Sequence, residues 1–218
     1  MKQSIHIQNL NIYICSEHMS MKSENQAKDK TKPICYPNEQ APDGVYITTV
    51  EGNCWMKDFF SESHEIARGV AVIRGKHQIV VHPNGSSEDI ILLESYKRIS
   101  GKTYDNIEDG LTDFDGMNNT DQLLKLGSQA AIYCKSIGHE WYLPTLGEMQ
   151  LIFDNKLELD ACLAVIGTPL YDGWHWTSTR FSECSNLVFD WSNGLRFYDY
   201  QVSSSRVRPV SASSLSSL

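Results

Sequence analysis

Trp141-Tyr-Leu-Pro-Thr-Leu-Gly-Glu148 is the stretch from which the rest of the chain can be read. Two aromatic residues and a leucine run into Pro144, and the residues beyond it open a helix. Thr145 and Glu148 have capping-box spacing, in which the hydroxyl and the carboxylate each bond an amide that the first turn leaves orphaned. This helix is expected to run through Phe153, with another short one at 157–166. Trp141, Leu143 and Pro144, which feed straight into it, are expected in the core. Upstream, Leu123, Leu126, Ala130, Cys134 and Ile137 recur at helical spacing. That pattern predicts one helix over 120–137, capped by Asn119 or Thr120 and stopped at Gly138. Farther back the signal is β: residues 44–50 are rich in β-branched side chains. Gly69-Val-Ala-Val-Ile73 and Gln78-Ile-Val-Val81 flank Arg74-Gly-Lys76 as a hairpin. Downstream of Gly173, Leu187, Phe189 and Trp191 alternate with Val188, Asp190 and Ser192, which predicts a strand with one apolar face. Ser192-Asn193-Gly194 is a hairpin turn, because Asn-Gly accepts positive φ at little cost. Arg206-Val-Arg-Pro-Val210 reads as a last strand. Strands, helices and strands again predict an α+β domain with antiparallel sheets and two or three helices.

Outside this block the chain changes character. Residues 20–32 are polar, charged and without apolar period, a linker or arm. Ile5, Ile7, Ile12 and Ile14 alternate well enough for a strand that could pair with a neighbouring subunit. The expected organisation is an arm at 1–40, a β-rich part at 41–104, a region at 105–212 and a disordered tail at 213–218. The apolar residues after Met1-Lys2 are interrupted by polar ones, so no secretory leader is expected, and no stretch is long enough to span a membrane. A net charge of −8 leaves no basic surface for nucleic acid. The six cysteines form no C-x-x-C pair and are expected mostly as small buried apolar residues.

Asp113-Phe-Asp-Gly116, Asn119-Thr120, Trp141-Tyr-Leu-Pro-Thr145, Glu148, Trp176-Thr-Ser-Thr179, Gly194 and Arg206-Val-Arg-Pro-Val210 follow in one order. Together they resemble a large bacterial and phage family of C-type-lectin-like domains, related to the formylglycine-generating-enzyme branch of that fold. Trp174-His175-Trp176 stands where that family has Tyr-Trp, and Arg180 where it has Glu. Some members are variable proteins of diversity-generating retroelements, including phage tail proteins that choose a host receptor. Their variable positions lie between the W-[ST]-S-T motif and the final V-R-P-V. The resemblance therefore implies a variable surface within 174–205 and a receptor-binding display role, and the missing leader makes a virion or cytoplasmic location the expectation. A bacterial surface adhesin or lectin is the alternative. The partner would be a protein or glycan receptor, and the tail-protein analogy is compatible with a trimer.

Composition points the same way. Residues 172–210 carry eight aromatics and no lysine, with Ser, Asn, Asp and Arg filling most of the rest. Antibody paratopes use this mixture, since Tyr and Trp offer large contact area with few rotors to freeze. Trp174, Trp176, Phe189 and Trp191 are expected as core. Arg180, Phe181, Ser182, Glu183, Asn186, Asp190, Ser192, Arg196, Tyr198 and Tyr200 are expected to face a ligand. Arg206 and Arg208 are expected outward, solvated or paired with carboxylates.

Catalytic and metal signatures are weak. The Glu-Pro-Asn, Gln-Pro-Asp and Trp-Asn-Asp calcium motifs of animal lectins do not occur. Asp113-x-Asp115-Gly116 has calcium-like spacing but lacks a later bidentate acid, so Asx turns are the expected role. His77 and His82 fall on opposite strand faces, and His139-Glu140 lacks the second zincin histidine. Cys184 has no second cysteine near it for a copper site of the formylglycine-generating kind. The expectation is a protein without cofactor and without catalysis.

Overall fold

The structure is a computed structural model that describes residues 33–212. The expected strand at 5–14, the linker at 20–32 and the tail at 213–218 lie outside the described residues. First along the chain come β1 (Cys35–Pro37), β2 (Gly44–Thr49), β3 (Asn53–Trp55), β4 (Ala67–Arg74), β5 (His77–Val81) and β6 (Ile90–Ile91). Helices α1 (Ile107–Gly110), α2 (Gly116–Lys125), α3 (Gln129–Ile137), α4 (Leu146–Phe153) and α5 (Lys156–Ile166) follow. The chain then returns to strand in β7 (Trp174–Arg180), β8 (Ser185–Asp190), β9 (Arg196–Tyr200), β10 (Ser204–Ser205) and β11 (Val210–Ala212). The fold is α+β with antiparallel sheets. A six-stranded sheet runs β1-β3-β2-β4-β5-β11, a three-stranded sheet runs β7-β8-β9, and β6 pairs with β10. Residues 35–40, read as part of the arm, supply β1 and a short 3-10 helix to this domain.

Three apolar clusters hold the layers together. On one face of the large sheet Ile47, Val70, Val72, Ile79 and Val81 pack with Met149 and Ile152 of α4 and Leu159 and Leu163 of α5. Leu187, Phe189 and Trp191 join them from the small sheet and its turn. The second core joins Leu92, Leu93 and Ile99 to Leu123, Ala130, Cys134, Trp176, Val188 and Val207. Tyr46, Ala71, Ile73 and Val80 alternate to the other face of the large sheet, where Trp141 packs. The small sheet thus lies between two cores, and β8 is buried along its whole length.

The helix expected over 120–137 is two helices. Gly127 takes φ of +79°, a left-handed conformation that ends α2, and its amide bonds back to Leu124 O at 2.9 Å. Ser128 then caps α3, its hydroxyl accepting from Ala131 N at 3.3 Å. The apolar period continues across the break, which is why the sequence reads through it. The expected last strand over 206–210 is also broken. Its backbone bonds in turn to Trp174, Trp176, Ser86 and His82, and ladder pairing with β5 begins only at Val210.

Residues of three of the motifs, at 113–119, 142–148 and 179, meet in one buried polar network. Asp113 accepts from Asp115 N at 3.1 Å, an Asx turn, and from Asn119 Nδ2 at 2.9 Å and Thr179 Oγ1 at 2.8 Å. Thr145 donates to Asp113 O at 2.7 Å, and Leu146 N donates to Thr179 Oγ1 at 2.8 Å. The capping box is formed, with Glu148 accepting from Thr145 N and from the Tyr142 hydroxyl, both at 2.8 Å. Burial pushes the Glu148 carboxyl up to about 7, against the hydrogen bonds from Thr145 and Tyr142 that pull it down.

Candidate ligand-binding surface

β9 is an edge strand, and most of its length is open to solvent because β8 pairs with only one side of it. Phe197 is 54% exposed, Tyr200 52% and Tyr198 38%. Phe181, from the loop after β7, stacks on Tyr198 with ring centroids 4.8 Å apart, and Tyr198 stacks on Phe197 at 4.7 Å. Three rings therefore form one continuous ridge. Phe181 also packs against the first core, which anchors the ridge to the scaffold. Tyr200 meets Tyr96 edge to face at 6.2 Å, extending the aromatic surface toward residues 94–104. Rings held against one another lose little further freedom on binding, which favours contact over rearrangement.

Polar residues flank this ridge. Arg180 donates to Gly101 O at 2.7 Å and to Thr103 Oγ1, so it ties the 101–104 loop to β7. Burial lowers its basicity, with Arg98 adding to the effect. Glu183 is exposed and faces Arg98 at 3.5 Å. Ser182 shares a 2.5 Å hydrogen bond with Ser185 and accepts from Cys184 N, which fixes the loop. On the opposite side Arg196 donates to Gln150 Oε1 at 3.0 Å and Glu108 Oε1 at 3.3 Å.

Three expected ligand-facing residues are placed elsewhere. Asn186 is fully buried, because the second core covers the face of β8 expected to meet solvent; its amide donates to Thr177 O at 3.4 Å. Asp190 is buried as the organiser of the hairpin, accepting from Ser192 N, Ser192 Oγ and Asn193 Nδ2. Burial opposes its ionisation, and these hydrogen bonds together outweigh it and hold the carboxyl below its ordinary value. Ser192 is exposed but sits in the turn at the far end of the hairpin from Ser182 and Glu183. Conversely, Phe197 and Tyr96 enter the surface though neither was picked out from the sequence. The edge position of β9 would have flagged Phe197; nothing in the local sequence flags Tyr96.

The arginine and tryptophan expectations divide likewise. Trp176, Phe189 and Trp191 are core, whereas Trp174 is 40% exposed at the start of β7. Arg206 pairs with Asp89 at 3.0 Å, as expected of an outward strand residue. Arg208 does not point outward. It is fully buried and donates to four backbone carbonyls: His82 and Pro83 at 3.0 Å, Thr168 at 3.0 Å and Pro169 at 2.7 Å. Backbone oxygens around it were invisible to a reading based on alternation.

Among the described residues no group of three or more His, Cys, Asp or Glu is arranged to hold a metal ion. His77 stacks on Phe114 and His82 meets Trp141 edge-on, so the two rings serve different neighbours. Cys54, Cys134 and Cys162 are buried free thiols, and burial raises the pKa of each. Among the described residues no helix is long and apolar enough to cross a membrane.

No protein-family model matches the chain, and no curated protein matches it. Among solved structures, a fimbrial protein from Bacteroides ovatus ATCC 8483 aligns with a TM-score of 0.49 and 15% identity over 62% of this chain. The chain spans 35% of that protein's length.

Proposed function

We propose that this chain is a binding protein without catalytic activity, which presents the Phe181–Tyr198–Phe197 ridge to a protein or glycan receptor from a C-type-lectin-like scaffold. The observation that carries this reading is the ridge itself: Phe197, Tyr198 and Tyr200 lie exposed on an edge strand whose neighbour β8 is buried throughout, with half-buried Phe181 stacked on Tyr198 and exposed Tyr96 set against Tyr200. Contiguous exposed aromatic surface of this kind marks interaction sites. The scaffold part of the proposal rests on the ordered motifs between Asp113 and Val210 and on the meeting of three of them, at Asp113–Asn119, Thr145–Glu148 and Thr179, in one polar network. Within it, diversification by a retroelement in a phage or prophage tail protein is the more specific reading. Seven of the expected residues, Arg180, Phe181, Ser182, Glu183, Arg196, Tyr198 and Tyr200, lie on β9, at the end of β7 or in the turn after it, which supports a binding surface there and leaves diversification to be tested.

The test uses the full chain, fluorescently labelled and assayed for binding to a panel of intact bacterial isolates. Tyr198→Ala combined with Tyr200→Ala is expected to abolish binding to any strain the wild type recognises. Both rings are substantially exposed, so the melting temperature should fall by only about 2 °C. Retained binding, or a large drop in melting temperature, would refute the ridge as the binding surface. A reverse transcriptase gene beside this one, with a near-copy of the segment encoding 174–210 that differs at adenines, would separate the diversified tail protein from a surface adhesin.

A further inference from the structure

On β9 the side chain after Tyr198 alternates to the other face, and there Asp199 reaches a second, smaller site. A pocket of about 340 Å³ is lined by Asp199, Asp172, Trp174, Ser205, Arg206 and Asp89, among others. Arg206 is held by several neighbours: its Nε lies 3.0 Å from Asp89, its NH1 donates to Ser86 O and Ser87 O, and its guanidinium stands 5.4 Å over the Tyr171 ring. One carboxylate in the wall is thereby neutralised. Asp199 uses one oxygen, which accepts from Tyr200 N at 2.7 Å and Ser203 Oγ at 2.8 Å. Asp172 finds no partner among the described residues. Two negative charges are left over. Independently of them, Ser205 is 4% exposed, yet among the described residues its hydroxyl has no hydrogen-bond partner. The indole of Trp174, 40% exposed where Trp176 two residues on is fully covered, completes the wall.

We infer that this pocket seats the guanidinium of an arginine side chain carried by a protein partner. A planar cation stacks on the indole and directs several N–H donors at once toward Asp172, the free oxygen of Asp199 and the Ser205 hydroxyl. An ammonium offers a point charge and no flat face. A neutral sugar would leave the charges of Asp172 and Asp199 without a counter-charge. The inference is separate from the aromatic ridge: a partner could use either surface without the other.

Titration of the full chain with Nα-acetyl-argininamide, followed by calorimetry and by tryptophan fluorescence, tests it without needing the natural partner. Saturable binding that weakens with salt is expected, with the citrulline analogue, equal in shape but uncharged, failing to bind. Asp172→Asn should weaken binding about tenfold, the scale of one charged hydrogen bond, at unchanged melting temperature because Asp172 is exposed and partnerless. Ser205→Ala should weaken it less. The inference is overturned by absence of saturable binding, by equal binding of the citrulline analogue or by an unaffected Asp172→Asn variant. Methyl glycosides binding in its place, or free arginine binding more tightly than the blocked form, would also overturn it, the latter by pointing to an amino acid ligand. Because a small molecule reads this pocket alone, failure here leaves the ridge reading standing, and failure of the cell-binding assay leaves this one standing.

Discussion

Replacing Arg208 by Met keeps most of the side chain's volume and removes its donors, which makes the energetic role of this residue measurable. Four of the five guanidinium N–H groups are used, two on the His82–Pro83 carbonyls and two on those of Thr168–Pro169. Hydrogen bonds from a charged group are worth roughly 1.5–3 kcal/mol each, or about 6–12 kcal/mol for four. Burying the guanidinium without a bonded carboxylate takes back several kcal/mol, so a net loss of roughly 3–5 kcal/mol is expected on removal. Burial lowers the pKa of this group to about 10, so it remains charged at neutral pH and the bonds are charge-assisted. In a domain of this size 1 kcal/mol corresponds to about 2–4 °C, so Arg208→Met should lower the melting temperature by roughly 10 °C. Circular dichroism on heating, with urea unfolding for the free energy, reads both. Arg208→Lys keeps the charge but offers three donors from one point, and it should recover less than half of the loss. A Met variant within about 2 °C of wild type would refute the reasoning; full rescue by Lys would show that charge matters and fork geometry does not.

Two further outcomes follow from the same structure. The Glu148 carboxyl, pushed up to about 7 from an ordinary value of 4.5, holds a proton in the folded chain over a range where the unfolded chain has lost it. Stability from this group is therefore full below about pH 4.5 and declines by roughly 3 kcal/mol as pH rises past 7. The free-energy difference between wild type and Glu148→Gln, measured by urea unfolding from pH 4 to 8, should shift by that amount, and a flat difference would contradict it. Gly127→Ala meets no atom within 4 Å, so its cost is purely that of positive φ. A loss of about 1–2 kcal/mol is expected from thermal unfolding, and an unchanged or raised melting temperature would mean that the α2–α3 break is not held by this conformation.

Local chemistry was legible in the sequence and layering was not. The Thr145–Glu148 capping box, the Asn193-Gly194 turn, the 67–81 hairpin and the Asp113 Asx turn all depend on residues within a few positions of one another, and each is present as read. The alternation of Leu187, Phe189 and Trp191 correctly marked a buried face. What failed was the inference that the other face met solvent. Segments at 90–93 and 204–207 cover it, and those short stretches carry no period long enough to announce a layer. Asn186 and Arg208 were misplaced for that one reason, both polar residues on faces that distant chain segments close. The ridge was half legible: paratope-like composition picked out Phe181, Tyr198 and Tyr200, while Phe197 needed the knowledge that β9 is an edge.

The pairing of β11 with β5 sets an order on events during synthesis. Val210, Ser211 and Ala212 lie beside Val81, Val80 and Ile79, so the outermost ladder of the large sheet joins segments separated by most of the domain. While the chain is being made, β5 must wait with one side bare until residue 212 leaves the ribosome, and α1 to α5 are all translated in the interval. Contacts that remote close slowly, and a waiting strand rich in valine and isoleucine is where a nascent chain would first go astray.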